Sequence, residues 1–308
     1  VTAGQGAIGH FERMLHLRRV PVLGTLAPHD LSVVAELARE RSFSPGQALL
    51  REGEPVTSSY YVVEGEVAIQ HEGRASVIFG GAELGGLHLL ARETEGPQAV
   101  ARQHTRVLEM EAEAVFELFD DEFPILHHVL RELCRQLVVV QKRDPRWPER
   151  PAWHTEIPSA DLDLVERIFV MRQAPVFAHA SINALAELSR GLVEVRFEPG
   201  ATVWEMGHAA EWVLLVVAGT LDCQLPRGTG FKVGPGAPLG ALETVAEIPR
   251  WYTATATSAV RGLQGHVGWL IDVFEDNVPM ALEYLAYMAR LLLRAWSAPG
   301  RMPGWTGA

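Results

Sequence analysis

The sequence predicts an α+β, mainly β protein: two tandem β-barrel or jelly-roll domains with flanking helices. Three observations point there. Residues 12–65 recur without a gap 154 residues later, so that Glu12-Arg13 returns as Glu166-Arg167 and Pro21-Val22 as Pro175-Val176. Phe43, Pro45, Gly46, Gly53, Val62, Val63 and Gly65 return as Phe197, Pro199, Gly200, Gly207, Val216, Val217 and Gly219. A period this long is a duplicated domain, because solenoid repeats run at about 20–50 residues. Within each copy, short β-type runs punctuated by glycine lie between helical stretches, the texture of a small antiparallel barrel. The length of 308 residues agrees with two domains, at roughly 100–200 residues each.

Taken in order, Ile8 to Arg41 has helical periodicity, with Phe11, Leu15 and Leu17, a break at Pro21, and then Asp30 as the cap of a helix through Leu31, Val34, Leu37 and Ala38. From Ser42 to about Met110 the runs Ala48-Leu49-Leu50, Tyr60-Tyr61-Val62-Val63, Val67-Ala68-Ile69, Val77-Ile78-Phe79 and Val107-Leu108 read as strands. Helix returns at Ala112–Leu118 and Pro124–Gln141. Pro145, Pro148, Pro151 and Pro158 then predict a stiff linker. The second copy repeats the order: helices from Leu162 to about Arg190, strands from Val193 to about Leu263, and helices at Val267–Phe274 and Pro279–Trp296. The expected domains are 8–142 and 161–296, with a linker at 143–160 and a flexible tail at 297–308. The last helix is apolar nearly all round and must bury both faces, on its own barrel and sister domain or in a homodimer.

Composition narrows the function. A net charge of −11 and a pI near 5.6 oppose a nucleic-acid backbone, and no basic cluster offsets them. No DNA-binding role is therefore expected. No run of 18 apolar residues is present, so no membrane role is expected either. Cys134 and Cys223 stand in unrelated contexts, which argues against disulfide or zinc frameworks and for buried thiols in a cytoplasmic protein. The adjacent pair His127-His128 points in two directions on a helix and cannot ligate one metal jointly. No nucleophile elbow, P-loop or dinucleotide fingerprint occurs, and the chain is not expected to be an enzyme.

One family shares the remaining pattern. The residues that carry it are Phe43-Ser44-Pro45-Gly46-Gln47-Ala48-Leu49-Leu50-Arg51-Glu52-Gly53 with Tyr61-Val62-Val63-Glu64-Gly65-Glu66-Val67, and Phe197-Glu198-Pro199-Gly200-Ala201 with Val216-Val217-Ala218-Gly219-Thr220-Leu221. Helices, this barrel opening and a long closing helix together resemble the cyclic-nucleotide-binding domain of catabolite activator proteins, protein kinase A regulatory subunits and gated channels. The resemblance implies a phosphate-binding cassette, usually Phe-Gly-Glu-x-Ala-Leu followed by Pro-Arg-x-Ala-Thr. In it a short helix starting after the Gly faces the cyclic phosphate, the Glu takes the ribose hydroxyl and the Arg meets the phosphate.

In the second copy the cassette is Leu239-Gly240-Ala241-Leu242-Glu243 through Pro249-Arg250-Trp251-Tyr252-Thr253. The resemblance puts Gly240 on the cassette glycine and Arg250 on the phosphate arginine. Ala241 stands for the ribose acid, Leu242 follows it, and Trp251, Tyr252 and Thr253 lie beside the phosphate. Glu243, two residues on, is expected to face elsewhere. In the first copy Gly85 is the cassette glycine, Gly86 replaces the acid and Gln98 the arginine, so nucleotide binding there is unexpected. Arg92 and Arg102 are read as surface arginines and His88 as a packed or half-exposed histidine. The implied function is a non-catalytic sensor with tandem domains. It takes a cyclic nucleotide, cAMP or cGMP, in the second domain and signals through its closing helix to a protein partner or second subunit. The competing reading is an interaction module whose degenerate pockets bind no nucleotide.

Overall fold

The computed structural model describes residues 7–71, 74–145, 161–226, 228 and 230–297. Most of the expected linker (146–160) and tail (298–308) lies outside them. The chain forms two compact units, divided between Val129 and Leu130 and again between Leu291 and Leu292. The divisions fall inside two long helices rather than in the proline-rich segment.

The first barrel is preceded by α1 (His10–Leu17) and α2 (Pro28–Leu37). Its strands are β1 (Arg39–Phe43), β2 (Ala48–Leu50), β3 (Ser58–Glu64), β4 (Glu66–His71), β5 (Arg74–Phe79), β6 (Glu83–Leu84), β7 (Gln98–Ala101) and β8 (Thr105–Glu111). The short helix α3 (Gly86–Ala91) interrupts them, and α4 (Ala112–Asp121) and α5 (Phe123–Arg143) follow. The second copy begins with α6 (Leu164–Gln173), a 3-10 turn (Pro175–Phe177) and α7 (Ile182–Arg190). Its strands are β9 (Leu192–Phe197), β10 (Thr202–Trp204), β11 (Trp212–Ala218), β12 (Leu221–Gln224), β13 (Gly230–Val233), β14 (Pro238–Leu239), β15 (Thr253–Ala256) and β16 (Val260–His266). Helix α8 (Ala241–Val245) interrupts them, and α9 (Val267–Asp276) and α10 (Val278–Ser297) close the chain.

The topology repeats strand for strand. One pair of sheets has the order β1-β8-β3-β6 and β2-β7-β4-β5, the other β9-β16-β11-β14 and β10-β15-β12-β13. Even the irregularities repeat, with register shifts at Val62/Glu64 and Val216/Ala218. Each bulge leads into a tight turn, where Gly65 and Gly219 take positive φ of 111° and 85°. There is no room for a side chain: a Cβ on Gly65 would lie 2.7 Å from the Thr105 Cα, and one on Gly219 2.8 Å from the Val260 Cα. This is why these glycines recur in the sequence.

The recurring Glu-Arg pair has its own physical reason. Arg13 donates through Nε to the carbonyl of Ile8 and through Nη1 to that of Ala38, across 3.2 and 2.7 Å. Arg167 makes the same two bonds to Leu162 and Leu192, at 3.0 and 2.8 Å. The amides of Ile8 and Leu162 donate in turn to Glu40 and Glu194. Each copy thus pins the segment before its first helix to its first strand with an arginine and a glutamate.

Two element readings need correction. Strand β1 begins at Arg39, before Ser42, because Arg39-Glu40-Arg41 pairs with β8. Its polar side chains find partners across the sheet, Arg41 on Glu109 at 3.0 Å and Glu40 on Arg106 at 2.5 Å. Asp30 is not the cap of α2; Ala27 holds that place, with Pro28 at the first helical position and Asp30 inside the first turn.

Each barrel has its own apolar core, around Val62, Val67, Leu84 and Val107 in the first and around Leu214, Val216, Leu221 and Val260 in the second. Cys134 and Cys223 are both buried and neither forms a disulfide. Helix α10 buries Met280, Tyr284, Leu285, Met288, Leu291 and Leu292. Among the described residues no helix is long and apolar enough to cross a membrane, and no group of acids, histidines and cysteines is placed to hold a metal.

Candidate functional site

Each barrel carries a cassette built as the pattern predicts, a short helix opening at a glycine. Gly85 and Gly240 hold the turn with φ of 85° and 81°, and α3 and α8 follow directly. A non-glycine residue with positive φ follows each helix, Arg92 as the C-cap of α3 and Glu247 one residue beyond the C-cap of α8. Strand pairing aligns the copies: Leu84 opposes Tyr60 as Leu239 opposes Leu214. Gly86 therefore corresponds to Ala241, His88 to Glu243 and Glu83 to Pro238.

In the second barrel, Arg250 is buried, with 3% of its surface exposed. Its Nη1 donates to the Gly240 carbonyl at 3.0 Å and to the Thr244 hydroxyl at 3.1 Å, and its Nη2 donates to the Trp212 carbonyl. The guanidinium lies over the Trp204 ring, 4.0 Å from its centroid. Burial pulls its pKa below the ordinary value, and the nearby Glu243 carboxylate opposes that shift. A Cβ at Gly240 would collide with the guanidinium, so glycine is needed there for Arg250 as well as for the turn.

Glu243 does not face elsewhere. It is 2% exposed, approaches Arg250 Nη1 at 3.8 Å and accepts from the Tyr252 hydroxyl. Trp251 and Tyr252 are buried, packed with Phe231 at 5.8 and 5.1 Å between centroids. They fill the inside of the barrel rather than wall an opening. Burial, and then Glu243, hold the Tyr252 hydroxyl far above its ordinary pKa. Thr253 sits in β15 and its hydroxyl accepts from the Met206 amide at 3.2 Å. The far end of α8 is held by α5, with Arg135 Nε donating to the Ala246 carbonyl and Arg131 pairing with Glu247, both at 3.0 Å.

The first barrel departs further, and in a different place from the one the sequence indicates. Gln98 does not occupy the arginine position. It opposes Gln70 in the sheet as Thr253 opposes Gln224. Gly96 takes the place of Arg250: Gly53 donates to the Gly96 carbonyl and Gly96 to that of Glu54, as Gly207 donates to Arg250 and Arg250 to His208. Matching the prolines of the two loops shifts the alignment by two residues, because the first loop is built differently. The cassette arginine is thus a glycine, and its acid partner Glu243 is replaced by His88.

Glu83, which the pattern did not single out, closes this cassette. Its carboxylate accepts the Gly86 amide at 2.5 Å and fills the space that a side chain on Gly86 would need. Burial pushes its pKa up to about 7, with the amide bond opposing. His88 is buried edge-on against His71, at 5.4 Å, and its pKa falls to about 4, first through burial and then through His71. Neither Arg92 nor Arg102 enters: Arg92 is exposed over Phe116, and Arg102 pairs with Glu66 at 2.9 Å.

This is the setting for the comparison with known proteins. The family model described as "Cyclic nucleotide-binding domain" matches residues 40–122. Residues 40–122 form a cyclic nucleotide-binding domain. The second barrel repeats its strand order and its helix-at-glycine cassette, so the chain has a tandem of this fold. A putative potassium channel protein of Rhodopseudomonas palustris is 30% identical over 94 residues, 29% of this chain and 23% of the relative. The cAMP-dependent protein kinase regulatory subunit of Colletotrichum orbiculare is 37% identical over 62 residues, 20% of this chain and 16% of the relative. The chain thus spans less than a quarter of either relative. Among solved structures, a mutant regulatory subunit of a cAMP-independent protein kinase A from Trypanosoma brucei, bound to cAMP, is similar with 17% identity and a TM-score of 0.35. That match covers 96% of this chain and 95% of the other.

Proposed function

We propose that this tandem of cyclic nucleotide-binding folds is a non-catalytic regulatory module whose two cassettes are closed by the chain's own side chains, and that it acts through protein contact rather than by taking up a cyclic nucleotide. One observation carries the reading. The arginine that would meet a phosphate is buried, with its Nη1 and Nη2 donating to the Gly240 and Trp212 carbonyls and the Thr244 hydroxyl and its Nε buried without a hydrogen-bond partner. To meet a ligand, Arg250 would have to give up these three buried hydrogen bonds and its approach to Glu243, a loss of several kcal/mol by the order of magnitude for broken buried pairs. Trp251 and Tyr252 fill the adjacent space, and Glu83 places a carboxyl group of the chain's own in the first cassette.

The protein-contact half of the proposal draws on the outer faces of α1 and α6. Phe11 and Leu15 are 71% and 51% exposed; Val165 and Phe169, their counterparts 154 residues on, are 59% and 67% exposed. An apolar pair kept at the same exposed place in both copies favours a partner surface.

The sensor reading, with cAMP or cGMP in the second barrel and a signal through α10, rests on the register of Gly240 and Arg250 and on the similarity to a cAMP-dependent protein kinase regulatory subunit. Calorimetric titration of the intact chain with cAMP and cGMP separates the two. Absence of saturable heat is the expected result, and saturable binding that depends on Arg250 would establish the sensor.

A further inference from the structure

The second unit contains a cavity of about 150 Å3 on the side of Ala241 and Leu242 away from Arg250; neither Gly240 nor Arg250 lines it. Leu188, Leu215 and Leu263 form its floor, and Trp269, Tyr284 and Met288 close it from the helices. We propose that this cavity binds a small uncharged molecule built around one aromatic ring, seated between the cassette helix α8 and the closing helix α10.

Size, wall chemistry and mouth support this occupant. Well-packed interiors leave few voids larger than a water molecule. Space near 150 Å3 walled by aliphatic and aromatic groups takes a benzene-sized guest. A nucleotide phosphate would find no cationic side chain there. No Asp, Glu, Lys or Arg is among the lining residues, so a charged guest would be desolvated without a counter-ion.

The lining residues with polar groups are Gln141, His266, Trp269, Tyr284 and Tyr287, and the Trp269 Nε1 donates to the Leu188 carbonyl. His266 Nδ1 accepts the Gly268 amide at 3.0 Å, which places the proton of the neutral ring on Nε2 as a donor. The guest then carries one hydrogen-bond acceptor on an otherwise apolar ring. Because it touches Ala241 and Leu242 on one side and Tyr284 and Met288 on the other, it holds α8 and α10 in one arrangement. It therefore regulates the second unit from outside the cassette, and the proposal stands whether or not a nucleotide binds there.

The test uses the intact chain with toluene, p-cresol and, as a charged control, 4-methylbenzoate. Both neutral rings raise the melting temperature in proportion to the logarithm of their concentration, while the benzoate does not. Leu215→Phe and Met288→Phe, which fill the space from a strand and a helix, each weaken p-cresol at least about tenfold. If one variant fails to fold, the other decides. Crystals grown with p-cresol show the ring between Ala241 and Met288. No shift with either neutral ring up to its solubility, equal affinity in a folded filled variant, benzoate binding as tight as toluene, or an empty cavity in the crystals overturns the proposal.

Discussion

Arg250 Nη1 lies 3.0 Å from the carbonyl oxygen of Gly240, so the two residues that mark the second cassette are bonded to each other. In a nucleotide-binding cassette both would turn to a cyclic phosphate. Here each constrains the other, and Trp204 covers the guanidinium.

Arg250→Ala is therefore a stability variant. Removing an exposed arginine would leave the fold nearly intact, but Arg250 is buried. Removing it breaks three buried hydrogen bonds and the approach to Glu243, at a cost of about 3–5 kcal/mol to the second unit. Arg250→Lys keeps the charge and loses the planar fork, so it falls between. Urea denaturation, followed by the fluorescence of Trp204 and Trp251, measures both. An unchanged midpoint in Arg250→Ala would mean that the guanidinium carries no structural role.

Glu83 and His88 set opposite pH dependences in the first unit. Glu83 keeps its proton up to about pH 7 in the folded chain, against 4.5 ordinarily, so its contribution to stability declines as pH rises between those values. His88 sheds its proton near 4, against 6.5 ordinarily, so stability is lost as pH falls through that window. The two slopes oppose each other in the intact chain. Glu83→Gln unmasks stability that climbs from pH 4 to 6.5, and His88→Leu unmasks stability that falls from pH 4.5 to 7, each by up to about 3 kcal/mol. Urea midpoints taken at half-unit pH steps read the two signs. Parallel profiles in the two variants would contradict the assignment.

The repeated glycines divide into two kinds. Gly65→Ala and Gly219→Ala meet backbone atoms as well as a positive φ, and each costs its unit about 2–4 kcal/mol. Gly46 and Gly200 also have positive φ, but a Cβ there meets nothing within 4 Å. Their alanine variants cost about 1 kcal/mol. Thermal melts of the four variants should fall into these two groups, and equal shifts across all four would show that the crowding does not matter.

Arg13→Ala and Arg167→Ala remove equivalent bonds and should destabilise their own units alike, by about 2–3 kcal/mol. Hydrogen exchange at the amides of α1 and α6 localises the loss. Faster exchange in one variant only would mean that the two copies hold their entry helices differently.

Much of the fold was legible because the duplication doubles every signal. Phe43, Pro45, Gly46, Gly53 and Gly65 mark turns that recur in register, and the helix-at-glycine cassettes fall where Gly85 and Gly240 put them. The start of β1 was hidden because Arg39, Glu40 and Arg41 satisfy themselves by cross-strand ion pairs, leaving no apolar alternation to read. Less of the candidate site was legible. The inward turn of Arg250 depends on Trp204 and Trp212, about forty residues away in sequence, and no local pattern encodes that meeting. The prolines of two unequal loops align Gln98 with Arg250, while the backbone bonds equate Arg250 with Gly96. A local signal did exist for Glu83, an acid three residues before the glycine that replaces the ribose acid.

The central claim is that the two cassettes are closed by the chain itself, and calorimetric titration of the intact protein with cAMP and then cGMP tests it most directly. The account predicts no saturable heat with either nucleotide. Saturable binding that is lost in Arg250→Lys, with the variant still folded, would contradict it and make the second barrel a nucleotide sensor.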